Sequence, residues 1–255
     1  MDLAVRRVAG IDIGSRTVKL AVLADGGITY TAVRDATHDP MEVCRELLDG
    51  VAVDRIVATG YGRHLFASHL AAEVITEIKA VALGARRLHP GCRAILDVGG
   101  QDTKVVALDE LGGVRKFEMN DRCAAGTGRF LEVMAVALGY TMTEFISAAA
   151  AAGTARKLNS MCTVFAESEV VSEVARGTDR DELALGIHRA IAERSAAMLR
   201  RLPLADDVVF CGGAAKNDCL RDLVAAAVGR PLHRTADPQV VAAVGCAFHA
   251  SRTDA

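Results

Sequence analysis

The strongest constraint on this chain is that part of it is written twice. "IDIGSRTVKLAVLADGG", Ile11 to Gly27, returns as "LDVGGQDTKVVALDELGG", Leu96 to Gly113, and Asp12, Gly14 and Lys19 are answered at matching offsets by Asp97, Gly99 and Lys104. Self-similarity with the same chemistry at the same offsets predicts a duplicated structural unit. Within each copy, apolar residues alternate with others on both sides of a tight polar turn, which is the period of an antiparallel hairpin. At 255 residues, 51% of them apolar and 24% charged, there is enough chain for two modest α/β domains around buried cores.

The turns carry the next inference. A P-loop runs strand, glycine loop, helix; GxxxxGK(S/T) is missing from this sequence, and each turn leads into a second strand. Glycine is still needed at Gly14, Gly99 and Gly100, where backbone N–H groups can approach an anion. Asp12 and Asp97 stand just before the turns and suit a hydrated magnesium ion, which takes one or two carboxylates with water and phosphate. A third glycine pair follows an apolar strand in "DDVVFCGGAAKN", Asp206 to Asn217, ahead of a helical stretch from Leu220 to Val228. Such a turn lets a flat ring pack on backbone.

A formal net charge of −2 with scattered arginines argues against nucleic acid as a partner. No apolar run approaches the ~20 residues of a membrane span, and "MDLAVRRVAGIDIG" lacks the apolar core and cleavage site of a signal peptide. The expectation is a cytoplasmic protein. Its seven cysteines, odd in number and without disulfide-framework spacing, then read as reduced thiols.

Two of those cysteines sit in matched contexts. In "NDRCAAGTGRF", Asn120 or Asp121 can cap a helix that begins near Cys123 and continues with Phe130, Leu131, Met134 and Leu138 at helical spacing. In "NSMCTVFAESEVVSEVARG", Asn159 or Ser160 can cap, Cys162 follows, and Gly177 comes just after the expected helix end. A helix start favours a thiolate by about 0.3–1 kcal/mol, so both cysteines are candidate ligands. Two thiolates make half a site. An iron–sulfur cluster usually takes four, which a symmetric dimer supplies if its twofold axis passes between Cys123 and Cys162 of each chain. The same four thiolates would hold a structural zinc. Cys44, Cys92, Cys211, Cys219 and Cys246 read as small buried hydrophobes, a reading that stays open for the motif pair as well.

The Asp-Gly hairpin, its repeat and the late strand-Gly-Gly turn together resemble the ATPase superfamily of actin, sugar kinases and heat-shock chaperones. That resemblance implies an α/β fold in which two ribonuclease-H-like domains clamp ATP. Residues 1–90 would form the first domain and residues 91–237 the second, which carries the motif cysteines; the helix 238–255, after Asp237-Pro238, would return to the first. Longer motifs are more specific. "MNDRCAAGTGRFLEVMA" and "CTVFAESEV", with "ATGYGR", "DVGGQD" and "GIHRAIAERS", resemble the activators of 2-hydroxyacyl-CoA dehydratases, in the ATPase family that also holds the ATP-hydrolysing subunits of benzoyl-CoA reductase. The likeness runs nearly from Val8 to Phe248.

What this second resemblance implies is an oxygen-sensitive homodimer with one [4Fe-4S] cluster held between subunits by Cys123 and Cys162 of each chain. Each subunit would bind ATP or ADP with Mg2+. A ferredoxin or flavodoxin would be the electron donor, and a 2-hydroxyacyl-CoA dehydratase or a related acyl-CoA reductase the acceptor, with ATP changing the angle between domains and so between the paired helices. Two alternatives stand beside this reading. One is the ATPase module of a benzoyl-CoA-type reductase; the other is a non-redox kinase or chaperone-like ATPase with incidental cysteines.

The expected nucleotide site follows. Asp12, Gly14, Ser15, Arg16 and Thr17 form the first phosphate loop, with Lys19 either beside it or on the strand's solvent face. In the second, Gly99, Gly100 and Gln101 meet phosphate or its attacking water, with Asp97 and Asp102 near magnesium; Asp12, Gln101 and Asp102 serve hydrolysis. Gly212, Gly213 and Ala214 face adenosine. Glu167 is a further cleft candidate, against the commoner fate of a solvated helix carboxylate. The "TGYGR" loop, Thr59 to Arg63, either contacts the acceptor or only turns the chain. His64, His69, His89, His188, His233 and His249 have no mutual metal spacing and are assigned no chemistry.

Overall fold

The duplication is realised strand for strand in the computed structural model, which describes residues 6–159, 162–203 and 208–252. Ser160, one of the two residues expected to cap the second cysteine helix, lies outside the described residues. The first half comprises β1 (Arg7–Ile13), β2 (Thr17–Ala24), β3 (Gly27–Asp35), α1 (Pro40–Leu48), β4 (Arg55–Gly60), α2 (Arg63–His69), β5 (Glu73–Val74) and α3 (Glu77–Leu88). The second comprises β6 (Ala94–Val98), β7 (Thr103–Leu108), β8 (Val114–Asn120), α4 (Gly128–Ala137), α5 (Met142–Ala151), α6 (Thr163–Ala175), α7 (Arg180–Leu199), β9 (Val208–Cys211), α8 (Asp218–Val228) and β10 (Leu232–Arg234). The helix α9 (Val241–Arg252) closes the sequence of elements.

Both sheets have one strand order: β3-β2-β1-β4-β5 and β8-β7-β6-β9-β10. In each, the central strand pairs antiparallel with its hairpin partner and parallel with the strand that returns, β1 with β2 and β4, β6 with β7 and β9. Register matches as well, with Asp12 opposite Lys19 and Asp97 opposite Lys104. The same bond closes each turn, Gly14 N–H to Thr17 O at 3.1 Å and Gly99 N–H to Asp102 O at 2.9 Å. The α/β class and the paired hairpins expected from the repeat are therefore both present.

Central strands buried on both faces need apolar residues at nearly every position. β1 is buried from Val8 to Ile13 and β6 throughout. The outer strands β3 and β8 are largely exposed, and charged side chains such as Arg34, Asp35, Arg115 and Lys116 make their edges poor templates for a further strand. Strand alternation divides the core into layers. Ile11 and Leu20 face α1 and α2, Leu96 faces the helices of the second half, and Ile95, with Val8, Val57 and Val209, turns to the layer of α3 and α9 between the sheets.

That middle layer is packed backbone to backbone. α9 lies on β1, β2 and β4 and crosses α3, and glycine makes the crossing possible: a Cβ on Gly84 would sit 1.8 Å from Val241 O, and one on Gly245 1.8 Å from Ala80 O. Gly10 likewise lets α9 rest on β1, where a Cβ would lie 2.0 Å from Ala243 O. A glycine-to-alanine change inside a helix ordinarily gains about 1 kcal/mol. At Gly245 the methyl must push two helices apart at an overpacking cost of about 1–3 kcal/mol or more. Gly245→Ala is thus expected to lower the melting temperature by several degrees, whereas Gly153→Ala, whose methyl would meet nothing within 4 Å, should leave it unchanged. Equal melting curves for the two variants would refute the close crossing. Among the described residues, no single helix is long and apolar enough to cross a membrane.

Candidate functional site

The C-terminal ends of β1 and β6 open into one cleft of about 370 Å3. Its wall takes Asp12, Gly14, Ser15, Arg16, Thr17 and Lys19 from the first hairpin, Asp97, Gly99, Gly100, Asp102 and Lys104 from the second, and Gly212, Gly213 and Ala214 from the turn after β9. Leu131 of α4 and Met142 and Ile146 of α5 add an apolar wall. Gln101 is exposed at the tip of its turn and is not among the lining residues. Glu167 is an exposed residue of α6, away from the cleft wall.

Register places each hairpin lysine beside its aspartate, because directly opposed residues of an antiparallel pair share a face. Lys19 Nζ lies 3.0 Å from Asp12 Oδ2 with 14% of its side chain exposed, so the solvent-face alternative for Lys19 is wrong: the ion pair draws it into the cleft. Lys104 is 3% exposed and meets three carboxylates, Asp102 at 2.7 Å, Glu77 at 2.9 Å and Asp97 at 3.7 Å. Burial opposes its charge, but Asp97, Glu77 and Asp102 outweigh that and hold the ammonium above the ordinary lysine range. Asp97 is pushed from 3.8 up to about 6, first by burial and then by Asp102, Glu77 and Asp12, against the pull of Lys104. Four carboxylates thus face two ammonium groups around the hairpin mouths. Asp12 and Asp97 at the strand ends fit a hydrated divalent cation of the magnesium type, which takes one or two carboxylates and fills its other positions with water and phosphate.

Glycine holds the approach to both aspartates open. Gly60 ends β4 at φ +92° and Gly212 follows β9 at φ +85°; a Cβ would lie 2.6 Å from Asp12 Oδ1 at the first and 2.5 Å from Asp97 Oδ1 at the second. Thr59–Gly60 is therefore the first half's counterpart of Cys211–Gly212, and Tyr61, which follows, lines the cleft. The repeat marked Lys104 and the TGYGR loop held Tyr61, but neither was assigned to the cleft, and no motif marked Glu77 or the apolar pair on α5. The one available signal was that both glycines follow an apolar strand.

Of the seven cysteines, Cys123 and Cys162 alone are exposed; Cys44, Cys92, Cys211 and Cys246 are buried and Cys219 is intermediate. Burial pushes the Cys44 thiol up to about 11 and raises Cys211, Cys219 and Cys246, which disfavours thiolate chemistry at all four. Cys162 is the N-cap residue of α6, and Gly177 follows the helix end at φ +84°. Asn159 does not cap: its backbone and side-chain N–H groups donate to Glu169 Oε1 at 2.8 and 2.7 Å.

The expectation for Cys123 needs correction. The helix starts at Gly128 with Thr127 as its N-cap, and Cys123 stands in the loop before it. Gly126 at φ +88° breaks any earlier helix, and a turn closes from Thr127 N–H to Ala124 O. Asn120 caps no N–H; its Nδ2 donates to Cys123 O at 2.9 Å and Ala125 O at 3.5 Å. The N–H groups at the start of α4 go elsewhere: Gly128 donates to Gly99 O at 2.9 Å and Arg129 to Gly100 O at 2.8 Å. Thr103 Oγ1 also donates to Gly126 O at 3.0 Å. Arg16 of the first hairpin reaches across to Glu132 on α4 at 2.9 Å. The cysteine loop and α4 are thus fastened to the second phosphate-loop candidate. Among the described residues, no group of three or more His, Cys, Asp or Glu side chains is placed to hold a metal. Among the described residues, no third ligand therefore stands beside the exposed thiols to complete a cluster.

Known proteins resemble this chain along nearly its whole length. The activator of lactoyl-CoA dehydratase from Anaerotignum propionicum is 39% identical over 250 residues, covering 94% of this chain and 96% of its own. A solved activator of the 2-hydroxyisocaproyl-CoA dehydratase from Clostridium difficile, with bound ADPNP, superposes with a TM-score of 0.88 at 34% identity, covering 96% of this chain and 94% of its own. A ROK family glucokinase from Streptomyces griseus, at 14% identity and a TM-score of 0.63 over 96% of this chain and 99% of its own, shares the fold alone. The family model that matches residues 9–250 adds the decisive span, and the chain belongs to the BadF/BadG/BcrA/BcrD ATPase family.

Proposed function

We propose that this protein is an ATP-driven one-electron donor that activates a 2-hydroxyacyl-CoA dehydratase. The observation that carries the reading is the pair of bonds from the start of α4 to Gly99 O and Gly100 O, which joins the nucleotide cleft to the loop of an exposed cysteine. The named relatives support it, being dehydratase activators along nearly the whole chain.

In this reading Asp12 and Asp97 hold hydrated Mg2+ at the strand ends, and Asp102 orients its water shell. The N–H groups of Gly14 and Gly99 already close their own turns, which leaves those of Ser15, Arg16, Gly100 and Gln101 for phosphate oxygens. The Gln101 side chain, exposed at the loop tip, would swing over the terminal phosphate and orient the attacking water. Thr17 and Lys19 flank the phosphates on the first hairpin. Gly212, Gly213 and Ala214, with Met142 and Ile146, take the adenosine.

Cys123 and Cys162 of each subunit hold a [4Fe-4S] cluster in a homodimer, and a cluster so bound supplies a one-electron carrier whose potential follows its charge, hydrogen bonding and exposure. Cys162, at the start of α6, is the ligand that a helix dipole favours as thiolate. Closure of the two loops on ATP carries α4 with Gly99 and Gly100 and so displaces the Cys123 loop. ATP drives this only by binding the closed arrangement more tightly than the open one. A ferredoxin or flavodoxin is the donor in this scheme.

The reading is tested in two anaerobic measurements. Reduced protein with Mg-ATP should switch on a 2-hydroxyacyl-CoA dehydratase, and failure with every such enzyme tried, alongside success with a benzoyl-CoA-type reductase, would replace the acceptor. Iron extraction by bathophenanthroline should proceed at clearly different rates with and without Mg-ATP, and Asp12→Ala should abolish the difference while keeping its iron. Equal rates in the wild type at saturating ATP would remove the coupling.

A further inference from the structure

Behind the adenosine-facing turn lies a chain of hydrogen bonds whose direction is fixed at both ends. Asn217, 3% exposed, lines the cleft after the single-turn 3-10 helix Gly213–Lys216. Its Oδ1 accepts from Leu220 N–H at 2.9 Å, capping α8, while its Nδ2 lies 2.9 Å from Nε2 of His188 on α7. The other ring nitrogen, Nδ1, lies 2.8 Å from Ala184 O, one helical turn back. A backbone carbonyl only accepts, so Nδ1 carries a hydrogen. A backbone N–H only donates, so Oδ1 faces Leu220, Nδ2 donates to the ring, and Nε2 is bare. One neutral tautomer of His188 satisfies every member of the relay.

We propose that His188 is a positioning residue for nucleotide: acting through Asn217, it fixes the turn between β9 and α8, and a proton on Nε2 loosens that turn and weakens nucleotide binding. The inference rests on the cleft being the nucleotide site. A proton on Nε2 would set N–H against the N–H of Asn217. Rotating the amide to accept there would turn its NH2 onto Leu220 N–H and uncap α8, so the proton breaks one bond or the other. Neither arrangement leaves the Asn217 end of the turn where it was.

The ring's surroundings keep it neutral near neutral pH. His188 is wholly buried; α5 presents Phe145, with ring centroids 4.6 Å apart at 47°, α7 presents the Ala184 carbonyl, and the turn presents Asn217. Burial lowers the imidazole below its ordinary range, the bond to Ala184 opposes, and among the described residues no charged side chain contributes. The switch therefore operates on the acid side of about pH 6.5.

The test is Mg-ADP binding to the anaerobically prepared holoprotein, followed by calorimetry at pH 7.5 and 5.5 in buffers of different ionisation heat. Asp97 also titrates in this range, so the comparison between variants decides. Wild-type affinity should fall between pH 7.5 and pH 5.5, beyond the fall shown by His188→Gln, whose amide can accept from Asn217 and takes up no proton. His188→Phe keeps the contact with Phe145 but offers Asn217 no acceptor, and should bind several-fold more weakly at both pH values. Asn217→Asp, a pure acceptor, demands a protonated ring and should move the tighter binding toward acid. If His188→Phe does not fold, as circular dichroism would show, the other two variants carry the result. Wild type, His188→Gln and Asn217→Asp sharing one pH profile and one proton release would overturn the proposal. Wild type that binds no Mg-ADP at pH 7.5 would instead overturn the assignment of the cleft.

Discussion

Cys123→Ser and Cys162→Ser should each leave anaerobically purified protein with essentially no iron, where the wild type carries about four irons per dimer as one [4Fe-4S] centre. The effect is all or none because each chain offers two exposed thiols and, among the described residues, no third ligand stands near to substitute. Losing one per chain removes half of the donors of a shared site, since twofold symmetry repeats the loss. Cys219→Ser is the control: that thiol is half-buried, burial raises its pKa, and its iron content should match the wild type. Iron and sulfide analysis with the visible spectrum reads the outcome. A brown, iron-replete protein lacking both motif cysteines would end the assignment.

Asp97→Asn should make the nucleotide-free protein more stable and the ATPase nearly inactive. The carboxyl sits at about 6 in the folded protein against an ordinary 3.8, so the folded state binds its proton more readily than the unfolded one. Stability from this group is full below about pH 4 and is lost as pH rises through about 6. At pH 7 the buried charge then costs about 1–3 kcal/mol, which asparagine removes, raising the melting temperature by several degrees. The same change removes a magnesium ligand of the proposed site, for which a fall in hydrolysis on the order of a hundredfold or more is expected. Added Mg-ATP should stabilise the wild type and leave the variant unmoved. Melting curves at pH 5 and 7 and a phosphate-release assay measure both halves; a variant hydrolysing ATP at the wild-type rate would remove Asp97 from the site.

Legibility in the sequence followed the range of the interaction. The hairpins and the glycines of the turns were readable because they are local, and a repeated local pattern reports itself twice. Lys19 was ambiguous since alternation tells which residues share a face but not which face is the cleft. The start of α4 was misread for a related reason: Asn120 and Asp121 look like N-caps, but their role depends on Gly126 taking a positive φ and on carbonyls that Asn120 meets only after the loop has formed. Gly60 and Gly212 share little beyond a glycine, and their equivalence emerges only when each is seen against an aspartate from another strand. The Lys104 cluster brings Glu77 of α3 to β7, a meeting that no spacing along the chain records.

The crossing of α3 and α9 has a mechanical meaning for the cleft. Helices that interlock by side-chain ridges settle into a few discrete poses, with strain between them. Gly84 and Gly245 bring bare backbone against bare backbone, so at that point no side-chain ridge separates the two helices. In the proposed ATP-driven closure, such a contact would leave much of the resistance to what touches at the rim of the cleft. Here the rim is the meeting of the two hairpin turns, where Gly100 rests on the Arg16 side chain and Arg16 reaches Glu132. That ion pair is roughly half exposed on one side and a third on the other, so it holds the rim only lightly. If ATP closes the cleft as proposed, this lightly held pair is what closure would meet at the rim.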